Sequence, residues 1–360
     1  MFDRLGNEAI ITALDELITN LGIKEELALD DLVGLLRKGD AEGCVQGIAT
    51  RLGLPIRIDL SYVPKDFRLG NNRFHSSALA QTDSAGHGIE GIVAQVAVPQ
   101  HLPMWGTSRL HDYPIKVSVS ENCHARSDTF VAIVAHELSH VLLACLWSPH
   151  KDSELHADLV PIVLGFRKVV RRGRKKTESV TSCSISTTQT TTYGYLTDLQ
   201  FELACEHVMG ILRGHLSHKK RLLNLVRQVR RRLEKAGRRL AVVRDYFRYL
   251  DNHRPKSMLK EHAERVVQLY GGGHIREWED RITAARNTLH SAEAFVQPLN
   301  HYTAAVIEQI RAHTHALRSA SNDLDQVSTV ILDDQRMLRK YVSIMYRLRR
   351  ALWSHSCQWK

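Results

Sequence analysis

From Phe130 to Leu143 the chain is apolar except for His136, Glu137, Ser139 and His140. Ser127 and Asp128 precede this run as an N-cap and a first-turn acid, and no Gly or Pro interrupts it. The spacing predicts a helix of about 19 residues, apolar on nearly every side and therefore buried. A buried imidazole or carboxylate without a partner is costly, so any fold of this chain must bring something to meet these groups. Residues four apart share a helix face, which points His136 and His140 the same way. Glu137 lies about 100° round from His136. Two imidazoles can then grip one metal ion, with Glu137 in reach of a water on it as general base.

A catalytic zinc site takes three protein ligands and keeps one position open. The best third ligand is Glu154, at the start of Glu154-Leu155-His156-Ala157-Asp158. This second helix is capped by Asp152 or Ser153 and follows a short Ser148-Pro149-His150 turn. Asp158 falls on the same face as Glu154 and is placed to hold a ligand histidine by its other ring nitrogen. His156 and Asp158 are the alternative ligands. The metzincin pattern fails, because it requires glycine and histidine where Leu143 and Leu146 stand.

His136-Glu137-Leu138-Ser139-His140, followed by a helix reading E-x-x-A-D, resembles the gluzincin peptidases over roughly residues 50–215. The likeness is to the HtpX-like membrane proteases and the small soluble minigluzincins. It implies Zn2+ held by His136, His140 and Glu154, with Glu137 as base and Asp158 in support. The activity implied is that of a zinc metallopeptidase, hydrolysing peptide bonds of a peptide or protein substrate with a metal-activated water. Thirteen residues separate His140 from Glu154, and no apolar span flanks the motif, so the soluble, minigluzincin-like form fits better.

Residues 8–20 and 29–52 have helical periodicity. Segments 56–60, 92–98 and 115–119 alternate as strands, with turns at Gly70-Asn71-Asn72 and at Gly86 and Gly88. The expected fold class is α+β: a small antiparallel sheet with zinc-binding HExxH helices, followed by an all-α coiled-coil module. An edge of the sheet can take an extended peptide by β-augmentation. A basic cluster from Arg167 to Lys176 and a Ser/Thr-rich run from Thr177 to Thr192 read as a solvated, low-complexity loop. Thr197-Asp198-Leu199-Gln200 is a capping box opening a helix to about Leu212. Tyr195, just before it, is the candidate donor to the oxyanion that peptide hydrolysis generates.

Beyond residue 215 the apolar positions Leu222, Val226, Val229, Leu233, Ala236, Leu240, Val243, Phe247 and Leu250 follow a strict heptad. Asn252-His253-Arg254-Pro255 stops it, a shorter helix starts near Ser257, and the pattern resumes from Trp278 through Leu352 after Gly271-Gly272-Gly273. Thr303, His313 and Asp334 fall in the seam, and Pro298 should kink it. An antiparallel helical hairpin is expected, with scope for self-association or a protein partner. The domains are then an N-terminal helical segment (1–50), a gluzincin-like domain (51–215) and a coiled-coil domain (216–360).

Charge divides the same way. Lys and Arg number 20 against 23 acidic residues in 1–200, and 29 against 16 in 201–360. The basic helix from Arg227 to Arg248 can pair with Glu277, Glu279, Asp280, Glu293 and Glu308, or bind nucleic acid through phosphates. An interaction or nucleic-acid-binding protein with a structural or regulatory metal is the alternative function. Six cysteines without a C-x-x-C pair, and acidic residues throughout 1–20, predict reduced thiols in a cytoplasmic protein with no membrane partner.

Overall fold

A computed structural model describes residues 6–64, 75–77, 80–82, 94–182, 185–252 and 273–356. The expected turns at Gly70-Asn71-Asn72, Gly86 and Gly88, the stop at His253-Arg254-Pro255, the helix from Ser257, Gly271 and Gly272, and Cys183 and Cys357 lie outside the described residues. So do the side chains of Phe247, Leu250, Met345, Leu348 and Leu352. The chain divides into two compact units: Met1–Gly214 with Asn300–Ala304, and His215–Leu299 with Ala305–Lys360.

The first unit mixes helices with small sheets. It opens with α1 (Asn7–Leu21) and β1 (Ile23–Lys24), followed by α2 (Asp30–Arg37) and α3 (Ala41–Leu52). The single helix expected over 29–52 is therefore two. Gly39 takes a left-handed backbone at φ +85°, and Asp40 restarts the chain by accepting a hydrogen bond from the Gly43 amide at 2.8 Å. Strands β2 (Arg57–Val63), β3 (His75–Ser77), β4 (Ala80–Thr82), β5 (Ala94–Ala97) and β6 (Pro114–Ser120) come next.

The main sheet has the order β2-β6-β5-β3. β6 pairs in parallel with β2 and antiparallel with β5, so the sheet is mixed and not the antiparallel one the alternation suggested. Alternation reports which face is buried and carries no information about strand direction. Ile115, Val117 and Val119 of β6 and Ala94 and Val96 of β5 are buried, as alternate residues of one face should be.

The core helix α4 (Ser127–Cys145) is 19 residues long, as its apolar run requires. Its N-cap is Arg126, without a side-chain capping bond, and Ser127 is already inside the first turn. α5 (Glu154–Val163) and α3 both pack on α4, and α1 packs on α5. The basic cluster is not a loop. Arg167–Gly173 forms α6, in which Arg167 is buried and donates to the Ile162 carbonyl at 2.8 Å. The Ser/Thr run forms a hairpin of β7 (Lys175–Ser182) and β8 (Ile185–Tyr193), and β8 also pairs with β4. Threonine's branched Cβ favours extended backbone, which outweighs the low complexity of the segment.

Helix α7 (Asp198–Asn252) begins with the expected capping box: Thr197 N–H donates to Gln200 Oε1 at 2.9 Å, and Gln200 N–H to Thr197 Oγ1 at 3.3 Å. It does not stop near Leu212 but continues to Asn252. β9 (His301–Tyr302) pairs antiparallel with β1.

In the second unit the remainder of α7 lies with α8 (Gly273–Val296) and α9 (Ala304–Ser356). Arg230 pairs with Glu293 and Arg244 with Glu279, so α8 runs antiparallel to α7. Arg232 bonds Ser321 and Arg239 bonds Ser328, which makes α9 parallel to α7. Three helical segments therefore replace the expected two-helix hairpin. Pro298 follows the end of α8 and marks a break where a kink was expected. Leu222, Val226, Val229, Ala236, Leu240, Val243, Trp278, Ile282, Ala285, Leu289, Ile310, Leu317, Leu324, Ile331 and Leu338 are buried, whereas Leu233 is half-buried.

Candidate metal centre

All residues of α4 from Thr129 to Leu143 are buried, including Glu137, with no exposed surface, and His136 and His140, at 5% and 4%. The stretch Cys123–Cys145 is long and apolar enough to cross a membrane, but nearly all of it is enclosed by the rest of the fold. Ser139 bonds the Ala135 carbonyl of the same helix at 2.6 Å, and the two histidines are met by α5 and the turn before it.

Ser153 caps α5, its Oγ accepting from the His156 amide at 3.4 Å, and this sets Glu154 in the first turn facing α4. Glu154 Oε2 lies 3.1 Å from His136 Nε2 and 3.5 Å from His140 Nε2. The two imidazole rings meet edge to face with centroids 5.2 Å apart. One donor atom from each of His136, His140 and Glu154 falls within 4.8 Å of the others.

The far nitrogens are anchored. His140 Nδ1–H donates to the Lys151 carbonyl at 2.8 Å, which leaves a lone pair on Nε2. That Nε2 is buried and makes no hydrogen bond within the protein. His136 Nδ1–H donates to Asp158 Oδ1 at 2.6 Å. The other oxygen of Asp158 accepts from the Tyr195 and Leu196 amides, at 2.6 and 3.1 Å. Gly194, at φ +93°, carries the chain over Asp158; a Cβ there would sit 3.1 Å from both carboxylate oxygens. Tyr195 lies with its ring roughly parallel to that of His136, centroids 6.0 Å apart, and its hydroxyl donates to Glu154.

The electrostatics follow from these contacts. Burial opposes a charge on His136, but the charge and hydrogen bond of Asp158, then the hydrogen bond to Glu154 and the charge of Glu137, push it up to about 10. Burial likewise opposes a charge on Glu154, and the His136 hydrogen bond, together with the two imidazoles of His136 and His140 beside it, holds it down to about 2. Burial and then the charges of Glu154, Asp158 and Glu137 raise the Tyr195 phenol well above its ordinary value, keeping it a donor. Glu137 acts electrostatically on both His136 and Tyr195.

Two imidazole nitrogens and a carboxylate oxygen are a donor set that suits Zn2+, and the unbonded Nε2 of buried His140 fits that use. All six residues singled out in the sequence, His136, Glu137, His140, Glu154, Asp158 and Tyr195, gather here. Of the alternative ligands, Asp158 meets the far side of His136, and His156 turns away toward α1. The Lys151 carbonyl and the Tyr195 and Leu196 amides were not foreseen; only Gly194 between two tyrosines signalled a special backbone there. No family model matches this chain, and neither the curated proteins nor the solved structures contain a match.

Proposed function

We propose that this chain is a zinc-dependent metallopeptidase acting on peptide or protein substrates. The observation that carries the reading is the convergence of the buried His136 Nε2 and His140 Nε2 with Oε2 of half-buried Glu154, with Glu137 beside them. His136, His140 and Glu154 would hold the ion. When bound, Zn2+ supplies a Lewis acid that polarises a carbonyl and acidifies water.

The chain's own groups do the rest. Asp158 fixes the ring of His136 by its Nδ1–H and is itself held by two backbone amides. Glu137 takes a proton from the attacking water as the new C–O bond forms, then gives it to the leaving amine as the C–N bond breaks. Tyr195, held neutral, donates its hydroxyl to the oxygen that gains negative charge. A cytoplasmic setting agrees with the buried free thiols of Cys44, Cys123, Cys145 and Cys205.

The test pairs metal content with hydrolysis of an unstructured protein substrate. Glu137→Gln should keep its zinc and lose activity by about 10²–10⁴-fold, the usual worth of a positioned general base. Glu154→Ala should lose the zinc of this centre. Full activity in Glu137→Gln, or undiminished zinc in Glu154→Ala, would remove the respective residue from its role.

A further inference from the structure

Helix α5 offers its two flanks to two different neighbours. Glu154 faces α4, and His156, two residues on and so about 200° round the helix, faces α1. There it meets His150, from the turn before α5, and Glu16 of α1. The two rings stack with centroids 4.1 Å apart and planes only 3° from parallel. Both Nε2 atoms face the same carboxylate oxygen of Glu16, at 3.5 Å from His150 and 4.0 Å from His156.

His156 is 7% exposed, and its Nε2 is buried without a hydrogen-bond partner. Native folds seldom leave such an atom unmet, so each one calls for an explanation. Its Nδ1 lies 2.9 Å from Ser153 Oγ, whose two lone pairs can accept both this N–H and the His156 amide. That tautomer leaves the Nε2 lone pair free in the ring plane on the side of Glu16, and His150 must turn out of its stack to share an ion with it. One donor atom from each of the three residues lies within 4.8 Å of the others.

We propose that Glu16, His150 and His156 form a second zinc site, separate from the His136–His140–Glu154 centre, whose ion clips α1 to the turn between α4 and α5. Two imidazoles and a carboxylate suit Zn2+, which would take water as its fourth ligand. Bonds of about 2.0–2.2 Å would draw the donor atoms to roughly 3.4 Å from one another. The side chains of His150 and Glu16, 43% and 38% exposed, have room to swing inward, while His156 is held by Ser153. Ser153 immediately precedes Glu154, so an ion here fixes the first turn of α5 and the position of that carboxylate. The site acts as a zinc-sensitive brace on the first centre.

The test is zinc stoichiometry on the full chain, stripped of metal and dialysed against a small excess of Zn2+, with circular dichroism to verify folding. Wild type should carry about two ions, while His150→Ala and Glu16→Gln should each carry about one. Glu154→Ala should keep the second ion, and combining it with His150→Ala should remove both. Wild-type stoichiometry in both His150→Ala and Glu16→Gln overturns the second site. A single ion lost in Glu154→Ala but kept in His150→Ala overturns it too, leaving the first centre intact. A single ion with the opposite pattern establishes the second site and overturns the first, and no zinc in the wild type overturns both.

Discussion

Asp158 makes no contact with the point where the Glu154 carboxylate meets the imidazole Nε2 atoms, yet three elements depend on it: it binds His136 on α4, sits on α5 and accepts two amides from the segment before α7. Asp158→Asn keeps the shape but removes the charge that supports His136, and an outer partner of this kind is worth about 10–100-fold in metal affinity. Competition with a zinc chelator should show a loss of that size in the ions released from the first centre, and unchanged affinity there would make Asp158 a packing residue. His136 and His140 could be read in the sequence because helix geometry alone puts residues four apart on one face, and Glu137 and Glu154 because the motif and the E-x-x-A-D helix after it resemble a known pattern. The hold of Lys151 on His140 and the approach of Glu16 to His156 could not, since both depend on where separate segments meet.

Among the elements, the short ladder of β1 and β9 ties residues far apart in sequence. His301 Nε2–H donates to the Leu21 carbonyl at 2.6 Å, and the Tyr302 hydroxyl donates to Glu25 at 2.6 Å. Burial, and secondarily the charge of Lys24, lowers the His301 pKa from its ordinary 6.5, against the opposing effect of its bond to Leu21. The folded chain therefore binds this proton less readily than the unfolded chain. Stability from the neutral imidazole is full above about pH 6.5 and falls as the pH drops toward the lowered folded value. Urea melts of the metal-free protein between pH 7.5 and 5.5 should show this fall, and it should shrink in His301→Gln; an identical slope in that variant would remove His301 as a source. No local pattern marks His301-Tyr302 as a strand, because two residues carry no periodicity. The hairpin of β7 and β8 was legible in principle through its threonines, and the break between α2 and α3 through Gly39-Asp40.

At the level of the molecule, heptads identified which faces of the second unit are buried but left helix direction open, since a stripe of apolar residues looks the same read either way. Direction shows instead in polar pairs: Arg232 and Arg239, one heptad apart, bond Ser321 and Ser328, also one heptad apart. The first unit is discontinuous, taking in Asn300–Ala304 after the chain has passed through most of the second. A fragment of residues 1–214 should thus melt below the first unit of the intact chain, and a synthetic peptide spanning β9 should restore part of the difference. Equal stability of the fragment would make the β1–β9 ladder incidental. The same discontinuity sets a timetable on the ribosome. The first unit lacks its last strand until roughly ninety further residues have been made, a wait of about 5–20 s at ordinary rates of synthesis. During that interval the cluster of His136, His140 and Glu154 is housed in an unfinished fold, which closes only after the greater part of the helical unit exists.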